Sequence, residues 1–135
     1  MGKKDAAQVW CLNYHLLTSV ITEASTGIEK LELEVKEFFV LADIEECPYP
    51  AELAVKLSMP KPTITVYLKS LEAKGFVRRE IDSTDLRRHR LVITPKGQKA
   101  VDRAGVVLSE TFGKRLQRLT GAERQEFQKC LEKLV

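Results

Sequence analysis

The sequence has 135 residues, 44% hydrophobic and 30% charged, enough for one globular domain with its own core and too few for a multi-domain enzyme. No apolar run approaches the roughly 18 residues that cross a bilayer, and the opening Met1-Gly2-Lys3-Lys4-Asp5 has no cleavage-site pattern after it, so the chain reads as cytoplasmic and free of membranes. The net charge of +3 hides a division: residues 1–60 carry five Lys or Arg against ten Asp or Glu, and residues 61–135 carry seventeen against nine.

From Ala6 to about Thr26, Val9, Trp10, Leu12, Leu16, Leu17, Val20 and Ile21 recur at three- and four-residue steps, which predicts an amphipathic helix ending or bending at Gly27. A second apolar series from Leu31 to Ala42, including Phe38 and Phe39, predicts a largely buried helix that stops before Cys47-Pro48-Tyr49-Pro50. Ala51 to Leu57 reads as a short helix, followed by the turn Ser58-Met59-Pro60. Lys61 to Lys74 predicts a helix with Pro62 in its first turn, Ile64, Leu68 and Leu71 facing inward, and Gly75 closing it. Phe76 to Ile81 and Arg90 to Ile93 suit two strands, with Asp82 to His89 as a charged hairpin tip. Thr94-Pro95 opens a long helix reaching about Leu119, and Thr120-Gly121-Ala122-Glu123 has capping-box spacing for a last one.

A short helix, a tight turn, a second helix with a small and basic outer face, then a hairpin with an arginine-rich tip is the order of a winged helix-turn-helix: a mainly α fold with a small antiparallel β-wing. The major groove accepts one helix, and on its outer face Thr63 and Thr65 can pair with base edges, Val66 can meet a thymine methyl, and Lys61 and Lys69 can bind phosphate or guanine, with Pro62 beside them. The narrow minor groove attracts guanidinium, so Arg87 leads the wing contacts, supported by Arg88, His89 and Arg90. Asp82 and Asp85 would repel phosphate, so they are assigned to bracing the arginines and the hairpin. Lys96, Lys99 and Arg103 fit phosphate contact or plain solvation equally.

The three cysteines, Cys11, Cys47 and Cys130, form neither a disulfide framework nor a zinc knuckle, and His15 and His89 lack ligand spacing, so no metal or cofactor is expected. The seven glycines form no phosphate loop, and no nucleophile with its base stands out, which argues against an enzyme.

The chain resembles the multiple antibiotic resistance regulator (MarR) family over almost its whole length. The match rests on Asp85-Leu86-Arg87 followed by Leu91-Val92-Ile93-Thr94-Pro95-Lys96-Gly97, on Glu52-Leu53-Ala54, and on Leu71 to Arg79. It departs at Val66-Tyr67, where relatives often place an arginine or another polar residue, and at Leu86, where a second basic residue is common. The resemblance implies a homodimer held by helices within about 1–30 and 98–135, with residues 31–97 as the DNA-binding region and a near-palindromic operator in double-stranded DNA. It also implies a transcriptional repressor released by a small-molecule effector or an oxidant.

Two candidate sensing elements follow from the same resemblance. Trp10, Tyr14, Phe38 and Phe39 can line a ligand pocket, or simply pack. Cys11, with Tyr14 three residues on, suits a redox sensor, or a small buried hydrophobe. The competing reading of the whole is a winged-helix module for protein contacts, against which the wing arginines speak.

Overall fold

The computed structural model describes residues 1–135. In chain order it contains α1 (Lys3–Glu29), α2 (Val35–Asp43), α3 (Pro50–Lys56), α4 (Lys61–Ala73), β1 (Val77–Ile81), β2 (His89–Ile93), α5 (Pro95–Leu116) and α6 (Gly121–Leu134). These residues fall into two units, Ser25–Gly105 and the pair of segments Met1–Ala24 and Val106–Val135. None of the helices is long and apolar enough to cross a membrane.

In the unit Ser25–Gly105 the core is continuous. Ile28, Leu33, Phe38, Leu41, Leu53, Ile64, Leu68, Leu71, Phe76 and Leu91 are almost fully buried, and the expected inward stripe of α4 is among them. The helix expected from Leu31 begins only at Val35. Glu32 adopts a positive φ of 63°, which breaks the helical path, and Glu34 is extended, its N–H donated to Glu37 Oε1 at 2.9 Å. Leu33 therefore reaches the core from a turn. The preceding helix runs through Gly27 to Glu29, and Leu31 and Glu32 close it with N–H bonds back to Ile28 and Glu29.

Two helix ends in this unit share one hydrogen-bond pattern. After α4, the N–H of Phe76 bonds the Leu71 carbonyl at 2.9 Å and that of Gly75 bonds Glu72 at 3.0 Å, with Gly75 at φ 76°. After α3, Met59 bonds Ala54 at 3.0 Å and Ser58 bonds Val55 at 3.1 Å, with Ser58 at φ 52°. Serine thus occupies a left-handed position that usually favours glycine. This turn fixes the angle between α3 and α4.

β1 and β2 pair antiparallel from Val77 opposite Ile93 to Ile81 opposite His89, and the outer edge of β2 gains a bond from Leu91 N–H to the Pro48 carbonyl at 2.7 Å. The base of this hairpin is locked by Thr94. Its hydroxyl donates to the Gly75 carbonyl at 2.6 Å and accepts from Gly97 N–H at 3.0 Å, while its own N–H bonds Phe76 O. Gly97 lies so close to the Phe76 carbonyl that a Cβ would collide with it. The Thr-x-x-Gly spacing is therefore a packing requirement.

In the other unit, α5 ends at Leu116, three residues before the expected end, because tighter i to i+3 bonds carry the chain through Arg118 and Leu119. Arg124 donates to the freed Leu119 carbonyl at 2.7 Å. Thr120 and Glu123 form the expected capping box of α6. Val20 and Ala24 are buried, whereas Val9, Trp10, Leu12, Leu17 and Leu134 are exposed and α6 buries none of its residues.

Candidate nucleic-acid interface

Burial of Ile64, Leu68 and Leu71 turns the opposite face of α4 to solvent. Lys61, Pro62, Thr65, Val66 and Lys69 are exposed there, and Thr63 is half-buried at the edge. The Thr65 hydroxyl donates to the Lys61 carbonyl at 3.0 Å, which leaves its lone pairs to accept from a base amine. No side chain caps the first turn and no acidic residue stands in it, so the positive end of the helix dipole is open to a phosphate.

The wing is braced by residues far apart in sequence. Asp82 is buried and accepts from the Tyr49 hydroxyl at 2.5 Å, the Thr84 hydroxyl at 2.7 Å and the Thr84 N–H at 2.9 Å. The Tyr49 bond, then the two from Thr84, hold the Asp82 carboxyl well below the usual carboxylate range, and the same bond raises the Tyr49 phenol. Asp85 accepts from the Arg87 backbone N–H at 3.0 Å. The two aspartates therefore brace the hairpin through Tyr49, Thr84 and the backbone, and neither hydrogen-bonds a guanidinium.

This arrangement separates the arginines. Arg88 donates to Glu52 at 3.0 Å and lies 3.7 Å from the centroid of the Tyr49 ring, so its charge is committed to the protein. Arg78 pairs with Glu80 and Arg79 with Glu72. Arg87 and Arg90 are exposed, and neither forms a salt bridge or a side-chain hydrogen bond within the chain; His89 is exposed opposite Ile81. On α4, Lys61 and Lys69 are likewise exposed without an acidic partner. Four uncompensated cations, Lys61, Lys69, Arg87 and Arg90, remain on one helix face and the adjacent hairpin.

Sequence pattern alone marks neither Tyr49 nor the function of Glu52. In sequence Tyr49 belongs to a proline-rich helix stop, and only its place under Arg88 reveals its work; the signal in the sequence is an aromatic hydroxyl between two prolines. Glu37 carries no sequence signal of its own either. It is buried, accepts from Lys74 Nζ at 2.7 Å, and so ties the start of α2 to the end of α4. Burial pushes its carboxyl up, but the Lys74 bond, the Glu34 N–H and the nearby Ser70 outweigh that and lower it. Its Oε2 makes no well-formed hydrogen bond.

The other candidates lie elsewhere. Trp10 and Tyr14 stack with centroids 6.4 Å apart and are both exposed, in the unit that holds α6. Phe38 is buried and Phe39 half-buried, 5.5 Å apart, in the other unit. Cys11 is exposed rather than packed as a small hydrophobe, and no side chain hydrogen-bonds its thiol. His, Cys, Asp and Glu nowhere gather in threes that could hold a metal.

The profile of the MarR family matches residues 33–89. The HTH-type transcriptional repressor Rv2887 of Mycobacterium tuberculosis is 30% identical over 136 residues, spanning 99% of this chain and 98% of its own. Crystal structures of Rv2887 in complex with DNA (28% identity, TM-score 0.76, 91% of this chain and 93% of that one) and with salicylic acid (29%, 0.76, 92% and 93%) superpose on it. The transcriptional regulator BldR from Sulfolobus solfataricus is 31% identical with a TM-score of 0.81, covering 99% of this chain and 97% of its own.

Proposed function

The chain belongs to the MarR family, and from that premise we propose that it is a repressor that binds double-stranded DNA as a homodimer and lets go when a small aromatic acid binds. The observation that carries the DNA reading is the selective freedom of Lys61, Lys69, Arg87 and Arg90 among neighbours whose charges are paired. α4 enters the major groove, where Thr63, Thr65 and Val66 meet base edges and Lys61 and Lys69 meet phosphate or guanine. Arg87 enters the flanking minor groove, with Arg90 on the backbone. Arg88 acts from within, holding the wing against Tyr49 and Glu52.

Dimerisation is supported by the apolar surface of the second unit. Val9, Trp10 and Leu12 of α1 and Phe127, Leu131 and Leu134 of α6 line an open groove of about 750 Å³. A monomer rarely leaves such a surface in water, and a second copy covers it. Two winged regions then meet half-sites about 34 to 36 Å apart, which makes the operator a near-palindrome. Release by an aromatic acid is supported by the salicylic acid complex of Rv2887.

The test is enrichment of duplexes from a random pool by the purified protein, followed by titration of the winners over a salt series. A near-palindrome is expected. With four free cations per protomer, log K should fall against log salt with a slope approaching about −7. A stable dimer that enriches nothing, or binds without salt dependence, would return the fold to the class of protein-contact modules.

A further inference from the structure

The wing carries an apolar side chain that neither the core nor the charged face of the hairpin uses. Leu86 is 78% exposed, at one of the two places where the sequence departs from the family pattern. Its position is set by backbone bonds. The N–H of Arg88 bonds the Asp85 carbonyl at 3.0 Å, so Asp85 to Arg88 form a β-turn whose two corner residues are Leu86 and Arg87. The Asp85 carboxylate accepts from the Arg87 N–H at 3.0 Å, and below the turn the N–H of Asp82 bonds the Arg88 carbonyl at 2.9 Å.

The braced tip keeps Leu86 in water. Asp82 is held by Tyr49 and Thr84, and Arg88 by Glu52 and the Tyr49 ring, so the turn is tied to the winged unit on both sides. Ile81, at the last rung of the ladder, is itself 63% exposed, so the hairpin does not fold Leu86 down over its own apolar surface. A leucine held out in this way forgoes the stabilisation of burial until a partner covers it. The neighbours set the class of partner. Arg87 beside it at the corner and Arg90 on β2 are unpaired cations, while both aspartates of the tip are engaged by Tyr49, Thr84 and the Arg87 backbone. An apolar side chain among free guanidinium groups suits a polyanion with an apolar interior, and a duplex groove, with phosphate at its rims and sugar C–H within, is one.

We propose that Leu86 enters the minor groove beside Arg87 and makes the flanks of the operator selective for A·T pairs. The proposal deepens the DNA-binding reading above and rests on it. Two corner residues of one tight turn reach the same groove, and a groove about 6 Å wide leaves the leucine only the sugar walls and the base edges of the floor. There an A·T pair presents acceptors alone, adenine N3 and thymine O2, whereas a G·C pair adds the guanine 2-amino group. The Arg87 guanidinium can donate to the acceptors that lose water when the tip enters. The guanine amine has no such recourse, because neither a guanidinium nor an isobutyl group accepts a hydrogen bond, and a donor buried under Leu86 stays unpaired.

The experiment uses the full-length protein and the duplex it enriches from the random pool. In a second version of that duplex, 2,6-diaminopurine replaces adenine in the flanks, which adds the 2-amino group to the minor groove and leaves the major-groove edge as it was. Fluorescence anisotropy gives the affinity of wild type and Leu86→Ala for both. On the unmodified duplex Leu86→Ala should bind about fivefold more weakly, with the same slope against log salt because no charge is removed. On the diaminopurine duplex wild type should lose about tenfold or more, and Leu86→Ala about twofold or less. Leu86→Gln, whose side-chain carbonyl can accept from the added amine, should bind the diaminopurine duplex at least as well as the unmodified one. Equal affinity of wild type and Leu86→Ala for the unmodified duplex overturns the proposal and leaves the leucine to a protein partner. An equal loss by both proteins on diaminopurine overturns it too, by placing the selectivity elsewhere in the wing. Either result keeps the DNA reading, whereas a wild type that enriches no duplex removes that reading and this proposal together.

Discussion

Between Ser25 and Gly105, sixteen hydrophobic side chains are buried; in the unit formed by Met1–Ala24 and Val106–Val135 only Val20 and Ala24 are. The second unit is not short of apolar residues, for Trp10 is 67% and Leu134 82% exposed. The winged unit encloses its hydrophobic side chains within one chain, and the helical unit holds them out. A protein divided in this way has one part whose stability is set by its own packing and another whose stability depends on concentration. Substitutions should therefore act on one part without the other.

The largest separation is expected from Leu12→Asp combined with Leu134→Asp. Both side chains are exposed in the single chain, so the winged core should stay intact, while two carboxylates in the covered groove should prevent pairing. Sedimentation velocity should show a monomer. Loss of the second half-site should lower operator affinity by about 10²- to 10⁴-fold. A variant that sediments as a dimer with unchanged DNA binding would mean that the apolar groove is not the dimer surface.

Gly97→Ala acts on the opposite part. The added methyl has no space beside the Phe76 carbonyl, and the neighbour is backbone, so the junction of wing and α5 must shift. Denaturant unfolding should register a loss of about 3 kcal/mol or more in the winged unit. A stability equal to wild type would show that the close approach at Phe76 relaxes easily.

Much of the winged unit was legible beforehand because local chemistry decides it. The stripe of Ile64, Leu68 and Leu71, the glycine after α4 and the Thr-x-x-Gly start of α5 each follow from residues within a few positions of one another. What was not legible came from long-range partners. Arg87 and Arg88 are adjacent and chemically identical, and only Tyr49 and Glu52, more than thirty residues earlier, make one a brace and leave the other free. The late start of α2 was hidden for a similar reason: an apolar series shows that Leu33 turns inward, with Leu31 half-buried beside it, but not that a positive φ at Glu32 puts them in a turn.

That distinction between neighbours can be measured. Arg87→Ala should cost about 1 to 3 kcal/mol of operator binding and reduce the salt slope by about one per protomer, with fold and dimer unchanged. Arg88→Ala should leave the salt slope nearly as it was and instead loosen the wing, seen as faster amide exchange around Asp82 and Thr84. Equal effects on the salt slope would mean that Arg88 leaves Glu52 when DNA binds.

A pH series probes the winged core through Glu37. Its carboxyl is lowered in the folded state, so its contribution is present above the unfolded pKa and disappears as pH falls through the folded value. Glu37→Gln keeps the shape but loses the charge that Lys74 faces. It should be less stable than wild type by about 1 to 3 kcal/mol near pH 7, the difference shrinking as pH falls below about 4. A gap that is constant with pH would trace the loss to packing rather than to the ion pair.

The smallest effect, and the only gain, is expected at Ser58. The turn after α3 and the turn after α4 carry the same pair of backbone bonds and the same left-handed residue, but one has glycine and the other serine. A side chain at φ 52° crowds its own backbone, a strain of about 1 kcal/mol that glycine avoids. Glycine also gives the unfolded chain more freedom, which works against the gain. Ser58→Gly should therefore stabilise the winged unit by about 0.5 kcal/mol, read from paired denaturant midpoints. The turn joins α3 to α4, the helix proposed to enter the major groove, so operator affinity supplies the sharper result: unchanged affinity means that serine is merely tolerated, whereas weaker binding in a more stable protein means that its stiffness holds α4 in position.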